Sequence, residues 1–161
     1  MGAGKTSVGR ILSERLGWRF IDLDREIEAR CNKSIAEIFQ LEGESGFRLR
    51  EAEALRSLLV TLPEAAPTIV ALGGGAFTQA ANLELLDSVA AEVIFLDAPV
   101  DELQRRIGED DTRPLSVDAE RFRQLYEERY ALYRRAPHRI QTDGKTVLEV
   151  AREIESLLRE Q

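Results

Sequence analysis

The first residues that could carry chemistry are the run Gly2-Ala3-Gly4-Lys5-Thr6. In a phosphate-binding loop, G-x-x-x-x-G-K-[ST], backbone N–H groups surround phosphates, the lysine reaches the terminal phosphates and the hydroxyl binds Mg²⁺. Gly4-Lys5-Thr6 supplies the second half of this pattern, and a predicted helix follows with its positive N-terminal end facing the same anion. The position of the first glycine falls before Met1. The alternative interpretation is a glycine-rich cap with an incidental lysine.

Two carboxylates, Asp22 and Asp24, stand at the end of the apolar run Trp18–Asp22. Ligands of parallel α/β sheets bind at the carboxyl ends of the strands. One carboxylate there can help to hold Mg²⁺ through its water shell, and the other can accept a substrate hydroxyl. The alternative is that Asp24 only caps a helix beginning at Arg25, since aspartate is favoured at that position. The pattern does not decide between these two interpretations.

Three consecutive glycines, Gly73-Gly74-Gly75, follow the apolar run 69–72. Glycines let the backbone approach a ligand closely, and successive N–H groups can form a small site for an anion or a hydroxyl. The alternative is a flexible turn. Further along, Arg113-Pro114 lies in the polar stretch 109–117, which suggests a mobile lid with an arginine that closes over phosphates. Any other single arginine is by default part of a solvated helix face.

The elements that must position these residues alternate between short β-prone runs and helical patterns. This alternation predicts βαβ units and a mostly parallel sheet, and hence an α/β protein. The predicted strands are Trp18–Asp22, Thr68–Leu72, Glu92–Leu96 and His138–Thr142. The predicted helices are Lys5–Leu16, Leu23–Arg30, Ser34–Leu41, Gly46–Thr61, Gln79–Val89, Val100–Ile107, Ala119–Arg135 and Thr146–Arg159.

Composition restricts the classes of partner. The 161 residues fit one domain, and a hydrophobic fraction of 43% is ordinary for a globular protein. A net charge of −7 argues against general nucleic-acid binding. We also find no apolar run of the ~18 residues that a membrane span needs, and no signal-peptide pattern. The single cysteine, Cys31, suits a reducing cytoplasm.

The order and spacing of these motifs together resemble the shikimate kinases, which are P-loop small-metabolite kinases of the nucleoside-monophosphate-kinase-like group. The resemblance extends from residue 1 to about residue 143. Its motifs are the loop and following Ser7-Val8-Gly9-Arg10, the Asp22-x-Asp24 pair, Ile38-Phe39, Gly43-Glu44-x-x-Phe47-Arg48-x-x-Glu51, Gly73–Gly75, Arg113-Pro114-Leu115 and Arg129-x-x-Leu132-Tyr133. Shikimate kinases have a second leucine where this chain has Ser116, and the stretch between Arg48 and Gly73 is somewhat long.

For the nucleotide, the resemblance implies that ATP is the co-substrate and Mg²⁺ the metal. Lys5 would contact the transferred phosphoryl group, and Thr6 and Asp22 would organise Mg²⁺. Arg106 and the lid residue Arg113 would meet the nucleotide. The remaining residues of the phosphate loop would be Gly2, Ala3, Gly4 and Ser7.

For the acceptor, the resemblance implies that Asp24 hydrogen-bonds a shikimate hydroxyl and orients the attacking 3-OH. Arg48 and Arg129 would clamp the shikimate carboxylate, and Glu51, at i+3, would hold Arg48 in place. The same resemblance gives two further sets of contacts. Backbone donors would come from Gly73, Gly74 and Gly75, and an apolar wall from Phe39 and Phe47.

The resemblance also implies a three-layer P-loop kinase fold, with helices flanking a parallel sheet of strand order 2-3-1-4-5. We expect one kinase domain over 1–161, with a substrate-binding helical segment at about 23–51 and the lid at about 109–118. The first, central strand is missing from this sequence, so we expect the natural protein to begin about ten residues earlier. The expected protein is a cytoplasmic monomer that binds neither nucleic acid nor membrane.

Two other functions remain open at this point. One is a kinase for a different small metabolite, such as gluconate or a nucleoside monophosphate, although neither would be expected to combine Asp22-x-Asp24 with Phe47-Arg48 and the triple glycine. The other is a non-catalytic nucleotide-binding or regulatory module, or a truncated remnant of a kinase. An assay of ADP release with several acceptors separates these functions.

Overall fold

The computed structural model describes residues 2–62, 67–108 and 119–160. The chain divides into two compact units, one formed by Met1–Leu12 with Glu92–Gln161 and the other by Ser13–Ala91. The predicted lid at 109–118, with Arg113, lies outside the described residues. In the part of the chain that is described, no helix is long and apolar enough to cross a membrane.

Helices and strands alternate along the chain as predicted, and most observed ends lie within two residues of the predicted ones. The strands are β1 (Arg19–Asp22), β2 (Thr68–Ala71), β3 (Ile94–Asp97) and β4 (His138–Gln141). The helices are α1 (Lys5–Leu16), α2 (Leu23–Cys31), α3 (Ile35–Thr61), α4 (Ala80–Ser88), α5 (Val100–Gly108), α6 (Ala119–Tyr133) and α7 (Val147–Arg159). A 3₁₀ turn that the sequence did not predict, Ala76–Thr78, follows the triple glycine.

The unit Ser13–Ala91 contains a parallel pair, β1 and β2, whose register runs from Arg19 opposite Thr68 to Asp22 opposite Ala71. Both strands therefore end at the same edge. Asp24 follows β1 and the triple glycine follows β2, so the pairing brings these two motifs to one place.

Helix α2 begins at Leu23 because Asp22 caps it. The Asp22 carboxylate accepts a hydrogen bond from the Asp24 N–H at 3.1 Å. Asp24 is thus inside the first helical turn, and the interpretation of Asp24 as the cap of a helix beginning at Arg25 is wrong. Capping by Asp22 satisfies one of the N–H groups that a helix start leaves unpaired.

Helix α3 joins two segments that the sequence predicted as separate helices. It begins with a capping box, in which the Ser34 side chain accepts from the Glu37 N–H and the Glu37 carboxylate accepts from the Ser34 N–H. Gly43 then has φ 68° and ψ −174°, which is not helical. Glycine alone adopts this conformation without strain, so the helix changes direction within a single residue instead of over a loop.

The unit formed by Met1–Leu12 and Glu92–Gln161 contains the second parallel pair, β3 and β4, in register from Ile94 opposite His138 to Asp97 opposite Gln141. Helix α7 begins with a capping box between Thr146 and Glu149. Its residues Val150, Ala151 and Ile154 are buried and recur at the spacing of one helix face.

The two pairs agree with the sheet order expected from the resemblance. If β1 to β4 correspond to strands 2 to 5 of the order 2-3-1-4-5, then strands 2 and 3 are neighbours and so are strands 4 and 5. The observed pairs are β1–β2 and β3–β4. The predicted α/β class with parallel strands is confirmed.

Candidate active site

Two glycines of the predicted phosphate loop have left-handed backbone conformations. Gly2 and Gly4 have φ values of 71° and 80°, which residues with a side chain rarely adopt. A Cβ on Gly2 would also lie 2.8 Å from the Leu103 carbonyl oxygen of α5 and 3.0 Å from the Ile107 side chain. Gly2 is therefore required both by backbone conformation and by the close approach of α5.

Lys5, Thr6 and Ser7 form the first turn of α1. The Gly4 carbonyl accepts the first bond of this helix, from Val8 N–H at 2.8 Å. The N–H groups of a first helical turn form no hydrogen bond within the helix, and helix N-termini are common binding sites for anions. The first turn of α1 holds no acidic residue, so no carboxylate offsets its positive end.

The Arg106 guanidinium forms hydrogen bonds with Glu102, which is on the same helix α5, and with Thr142, which follows β4. Its Nε donates to Glu102 Oε1 at 2.7 Å, while Nη1 and Nη2 donate to the hydroxyl and the carbonyl oxygen of Thr142 at 3.2 and 3.1 Å. Hydrogen bonds from Arg105 and Arg106 lower the pKa of Glu102 to about 2. The predicted nucleotide contact is thus a guanidinium with a defined position.

Around the triple glycine, Asp24 and Glu51 converge. A Cβ on Gly73 would lie 2.8 Å from Asp24 Oδ1 and 2.9 Å from Glu51 Oε1. Only a residue without a side chain fits between the two carboxylates. The sequence prediction that Asp24 and the triple glycine share a site is consistent with this placement.

The guanidinium of Arg48, a residue of α3, lies against Gly75. A Cβ on Gly75 would come within 2.4 Å of the guanidinium carbon and nitrogens. Nη1 donates to Glu51 Oε2 at 2.8 Å, as the i+3 spacing implied, and Nη2 donates to Glu44 Oε1 at 3.3 Å. Glu51 is fully buried. Glu44 was not given a role from the sequence, although its i−4 spacing from Arg48 was a usable signal.

The electrostatics of Arg48 favour its charged form. Burial opposes the charge, but the hydrogen bond and the negative charge of Glu51 outweigh that effect and raise the pKa of Arg48 above its usual value. The Nε atom is buried and has no hydrogen-bond partner among the described residues. Buried N–H groups normally have a partner, so this donor is suited to an acceptor that a ligand brings.

Phe39 and Phe47 form an apolar wall beside this guanidinium. Their rings stack with centroids 4.6 Å apart, and the Arg48 Cζ lies 5.1 Å from the Phe47 centroid. Phe47 is buried, whereas Phe39 is 38% exposed. An exposed aromatic face next to a charged donor suits a ligand with one apolar face and one anionic group.

Other predicted site residues occupy separate elements. Arg129 lies on α6 and is half-buried, and Asp22 and Thr6 are half-buried as well. The roles predicted for these residues, and for Gly74, remain predictions. The sequence analysis missed a cluster around Asp97, because the residues whose side chains donate hydrogen bonds to the Asp97 carboxylate lie 29 to 44 positions away from it along the chain.

The side chains predicted to hold the metal carry oxygen donors, which suit Mg²⁺ more than a softer metal. In the ranges that the structure covers, no group of three or more His, Cys, Asp or Glu side chains could hold a metal ion. Mg²⁺ commonly binds through one or two carboxylates together with water and substrate phosphates. The hydroxyl of Thr6 and the carboxylate of Asp22 are oxygen donors of this kind.

A helix that begins in a phosphate loop, together with parallel strand pairs whose ends carry carboxylates and glycines, is the construction of an α/β kinase that uses ATP. Known proteins identify the family. A family model described as shikimate kinase matches residues 1–159. The chain belongs to the shikimate kinase family.

Individual relatives agree with this assignment. The shikimate kinase of Ruegeria pomeroyi is 43% identical over 152 residues, which is 92% of this chain and 75% of the relative. That of Persephonella marina is 36% identical over 155 residues, covering 96% of this chain and 92% of the relative.

Solved structures show the same fold. The shikimate kinase from Acinetobacter baumannii in complex with shikimate is 39% identical, with a TM-score of 0.88 over 99% of this chain and 89% of that one. The enzyme from Aquifex aeolicus is 31% identical, with a TM-score of 0.84 over 99% and 92% of the two chains. The chain therefore has the P-loop kinase fold, and it is an ATP-dependent phosphotransferase.

Proposed function

We propose that this protein transfers the γ-phosphoryl group of ATP to the 3-hydroxyl of shikimate, giving shikimate 3-phosphate and ADP. The observation that carries the proposal is the guanidinium of Arg48, which lies against Gly75 with a buried Nε donor that has no partner among the described residues. The Acinetobacter baumannii relative was solved in complex with shikimate, and that likeness supports the choice of acceptor.

In this proposal Arg48 binds the shikimate carboxylate. A planar guanidinium matches a planar carboxylate, and charge-assisted hydrogen bonds of this type are stronger than neutral ones. Glu51 and Glu44 already engage the two terminal nitrogens and so limit the positions that the guanidinium can take. Arg129 supplies the second guanidinium, while Phe39 and Phe47 contact the ring.

Asp24 accepts a hydrogen bond from the hydroxyl that attacks the phosphorus. Phosphoryl transfer needs positioning and charge neutralisation more than covalent help from the protein. Asp24 Oδ1 would lie 2.8 Å from a Cβ on Gly73, so the absence of a side chain there keeps the backbone of Gly73 close to this carboxylate, and Gly73, Gly74 and Gly75 can approach the same ligand. Asp24 thus orients the 3-hydroxyl.

On the nucleotide side, N–H groups of the loop bind the phosphates and Lys5 contacts the transferred group. Thr6 and Asp22 hold Mg²⁺, which when bound neutralises charge on the phosphate oxygens. Arg106 and Arg113 contact the nucleotide. The phosphate loop consists of Gly2, Ala3, Gly4, Lys5, Thr6 and Ser7.

We also propose that residues 1–161 act as one kinase domain, with acceptor recognition in the segment 23–51 and a lid at 109–118. A closing lid excludes water and so directs the phosphoryl group to the acceptor. We further propose a cytoplasmic monomer that has no nucleic-acid or membrane partner. The net charge of −7 argues against nucleic-acid binding, and the single cysteine suits a reducing cytoplasm.

A coupled assay of ADP release tests the function. Shikimate is compared with gluconate and with nucleoside monophosphates at equal ATP. The expected result is turnover with shikimate alone. Turnover with gluconate or a nucleoside monophosphate instead would assign the chain to a different kinase activity. ATP binding without acceptor-dependent ADP release would identify a nucleotide-binding module.

A further inference from the structure

A buried carboxylate lies outside the residues assigned to catalysis. Asp97 ends β3 and is 3% exposed, although aspartate is rarely buried so completely without partners. Its carboxylate accepts hydrogen bonds from four side chains. They are Arg139 Nε at 2.6 Å, Tyr126 hydroxyl at 3.3 Å, Tyr130 hydroxyl at 3.4 Å and Gln141 Nε2 at 3.4 Å.

These hydrogen bonds join α6 to the β3–β4 sheet. Arg139 and Gln141 belong to β4, whereas Tyr126 and Tyr130 belong to α6. Arg139 Nη2 also donates to the Tyr130 hydroxyl at 3.1 Å, so the charged pair and the helix share one network. Buried networks of this kind give a single preferred arrangement when their members are satisfied.

None of the residues of α6 is fully buried. A helix is normally oriented by an apolar stripe that packs into the core, but the apolar residues Phe122, Leu125 and Leu132 of α6 are only half-buried. Three half-buried tyrosines at positions i, i+4 and i+7 provide contacts with β3 and the residue that follows it. Tyr130 and Tyr133 contact the Phe95 ring at centroid distances of 6.1 and 5.3 Å.

The Tyr126 hydroxyl acts as a donor throughout the usual pH range. Burial, followed by the negative charge of Asp97, raises the pKa of Tyr126 well above its ordinary value. The hydroxyl lies 3.0 Å from the Ala98 carbonyl oxygen as well as near Asp97. Both acceptors lie at the end of β3, so either hydrogen bond attaches the helix at the same point.

Arg129 lies within the same two turns of α6, three residues after Tyr126 and one before Tyr130. On a helix, the direction of each Cα–Cβ bond relative to those of its neighbours is fixed. The hydrogen bonds that fix the rotation of α6 at Tyr126 and Tyr130 therefore also fix the direction in which the Arg129 side chain leaves the helix. A small rotation at the tyrosines would displace the end of that long side chain by a larger distance.

We propose that Asp97 is a positioning residue for substrate recognition, which acts through Tyr126 and Tyr130 to fix the rotation of α6 and thereby to place Arg129 for the substrate carboxylate. Asp97 itself has no contact with substrate or nucleotide in this role. The inference rests on the proposed function, because it takes the role of Arg129 from there.

Asp97→Asn tests the inference, since it keeps the shape but replaces one acceptor oxygen by an NH₂ group that faces other donors. We expect the KM for shikimate to rise about tenfold, with kcat and the KM for ATP changed by less than about twofold. If the substitution only reduced the amount of folded protein, the apparent kcat would fall and the KM for shikimate and the KM for ATP would both stay unchanged. Glu127→Gln, the same chemical change at an exposed position of α6, should leave all three constants unchanged.

A double-mutant cycle with Arg129→Ala identifies the route. Arg129→Ala should raise the KM for shikimate, and adding Asp97→Asn to it should produce no further rise. The inference is overturned if Asp97→Asn raises the KM for shikimate equally in the wild type and in Arg129→Ala. It is also overturned if Arg129→Ala raises this KM but Asp97→Asn leaves it unchanged. The role of Arg129 in the proposed function fails separately if Arg129→Ala leaves this KM unchanged. If Asp97→Asn does not fold, the double variant Tyr126→Phe/Tyr130→Phe carries the same test.

Discussion

At the residue scale, the central feature is a guanidinium held by carboxylates beside glycines. Glu51 and Glu44 fix the terminal nitrogens of Arg48, and Gly75 leaves the space that the guanidinium occupies. These contacts order Arg48 before any ligand arrives. A preorganised donor loses less side-chain entropy on binding, which favours affinity.

The first residue-scale prediction concerns Lys5. Lys5→Ala removes the charge proposed to contact the transferred phosphoryl group. We expect turnover to fall by about 10³-fold or more, by analogy with other charge clamps in phosphoryl transfer. Shikimate binding, measured by calorimetry, should remain within about twofold of wild type, because Lys5 stabilises the transition state and not the acceptor. Equal losses of turnover and of shikimate affinity would contradict this role.

A second prediction concerns Gly75. Gly75 has φ −102°, so alanine is compatible with its backbone, but a Cβ there would lie 2.3 Å from the Arg48 guanidinium nitrogens. Gly75→Ala should displace that guanidinium and raise the KM for shikimate about tenfold or more, as expected when a charged contact is lost. The KM for ATP should not change.

Gly17→Ala provides the matched control for Gly75→Ala. Gly17 has φ 68°, and no atom lies within 4 Å of the position that an alanine methyl would take, so alanine adds strain without contact. The free energy of unfolding should fall by about 1 kcal/mol, while the KM for shikimate stays unchanged. A raised KM in both variants would show that loss of stability, and not contact with Arg48, causes the effect.

The residues that the sequence identified well are those with short-range spacing. Arg48 and Glu51 are one helical turn apart, and Gly73 follows a strand directly, so their neighbourhood could be predicted. Asp97 could not be, because Tyr126 and Arg139 reach it from 29 and 42 positions away. Only the folded sheet and helix bring such residues together.

At the element scale, capping determines where several helices begin. Asp22, Ser34 and Thr146 each accept a hydrogen bond from a backbone N–H at a helix start. The sequence predicted the starts of α2 and α7 to within one residue, but it left open whether Asp24 was the α2 cap, and the cap is Asp22. Both Asp22 and Asp24 suit a cap by type, and the end of β1 at Asp22 decides between them.

The capping box of α7 gives an element-scale prediction. Thr146→Ala removes the side-chain acceptor for the Glu149 N–H, so the free energy of unfolding should fall by about 1 kcal/mol. Urea denaturation followed by circular dichroism measures the change. Ser45→Ala, at an exposed position of α3, should change stability by less than about 0.5 kcal/mol. Equal effects of the two substitutions would contradict the capping role.

The same cap predicts a pH dependence. Hydrogen bonds from the backbone and side chain of Thr146 lower the pKa of Glu149 below its usual value of 4.5. A carboxylate with a lowered folded-state pKa stabilises the protein above the unfolded pKa and loses this contribution as pH falls through the folded pKa. The difference in stability between wild type and Glu149→Gln should therefore shrink as pH is lowered from 6 to about 3. A difference that is constant over this range would contradict the assignment.

At the scale of the whole molecule, two parallel strand pairs present their functional residues at strand ends. Asp22 ends β1 and Asp24 follows it, the triple glycine follows β2, and Asp97 ends β3. This placement is the general rule for ligands of open α/β sheets. The parallel pairs could be predicted from the alternation of elements, and so could an interruption between residues 41 and 46. That the two helical segments join through the single residue Gly43 could not be predicted, since the sequence pattern does not distinguish a one-residue kink from a short loop.

Ligand binding should stabilise the folded molecule. A ligand that binds only the native state raises the free energy of unfolding by about 2.7 kcal/mol at a concentration of 100 times its Kd. Shikimate and ATP with Mg²⁺ should each raise the melting temperature of the wild type. In Gly75→Ala the shift with shikimate should be smaller, while the shift with ATP is retained. Loss of both shifts would show that the substitution disturbs the whole fold.

Identification of the product is the most direct measurement of the proposed phosphoryl transfer. The protein is incubated with ATP, Mg²⁺ and shikimate, and the reaction is followed by phosphorus NMR. We predict one new phosphomonoester signal, assigned to the 3-oxygen of shikimate and formed in equal amount to ADP. Release of inorganic phosphate with no phosphorylated shikimate, or the absence of any reaction, would contradict the proposed activity.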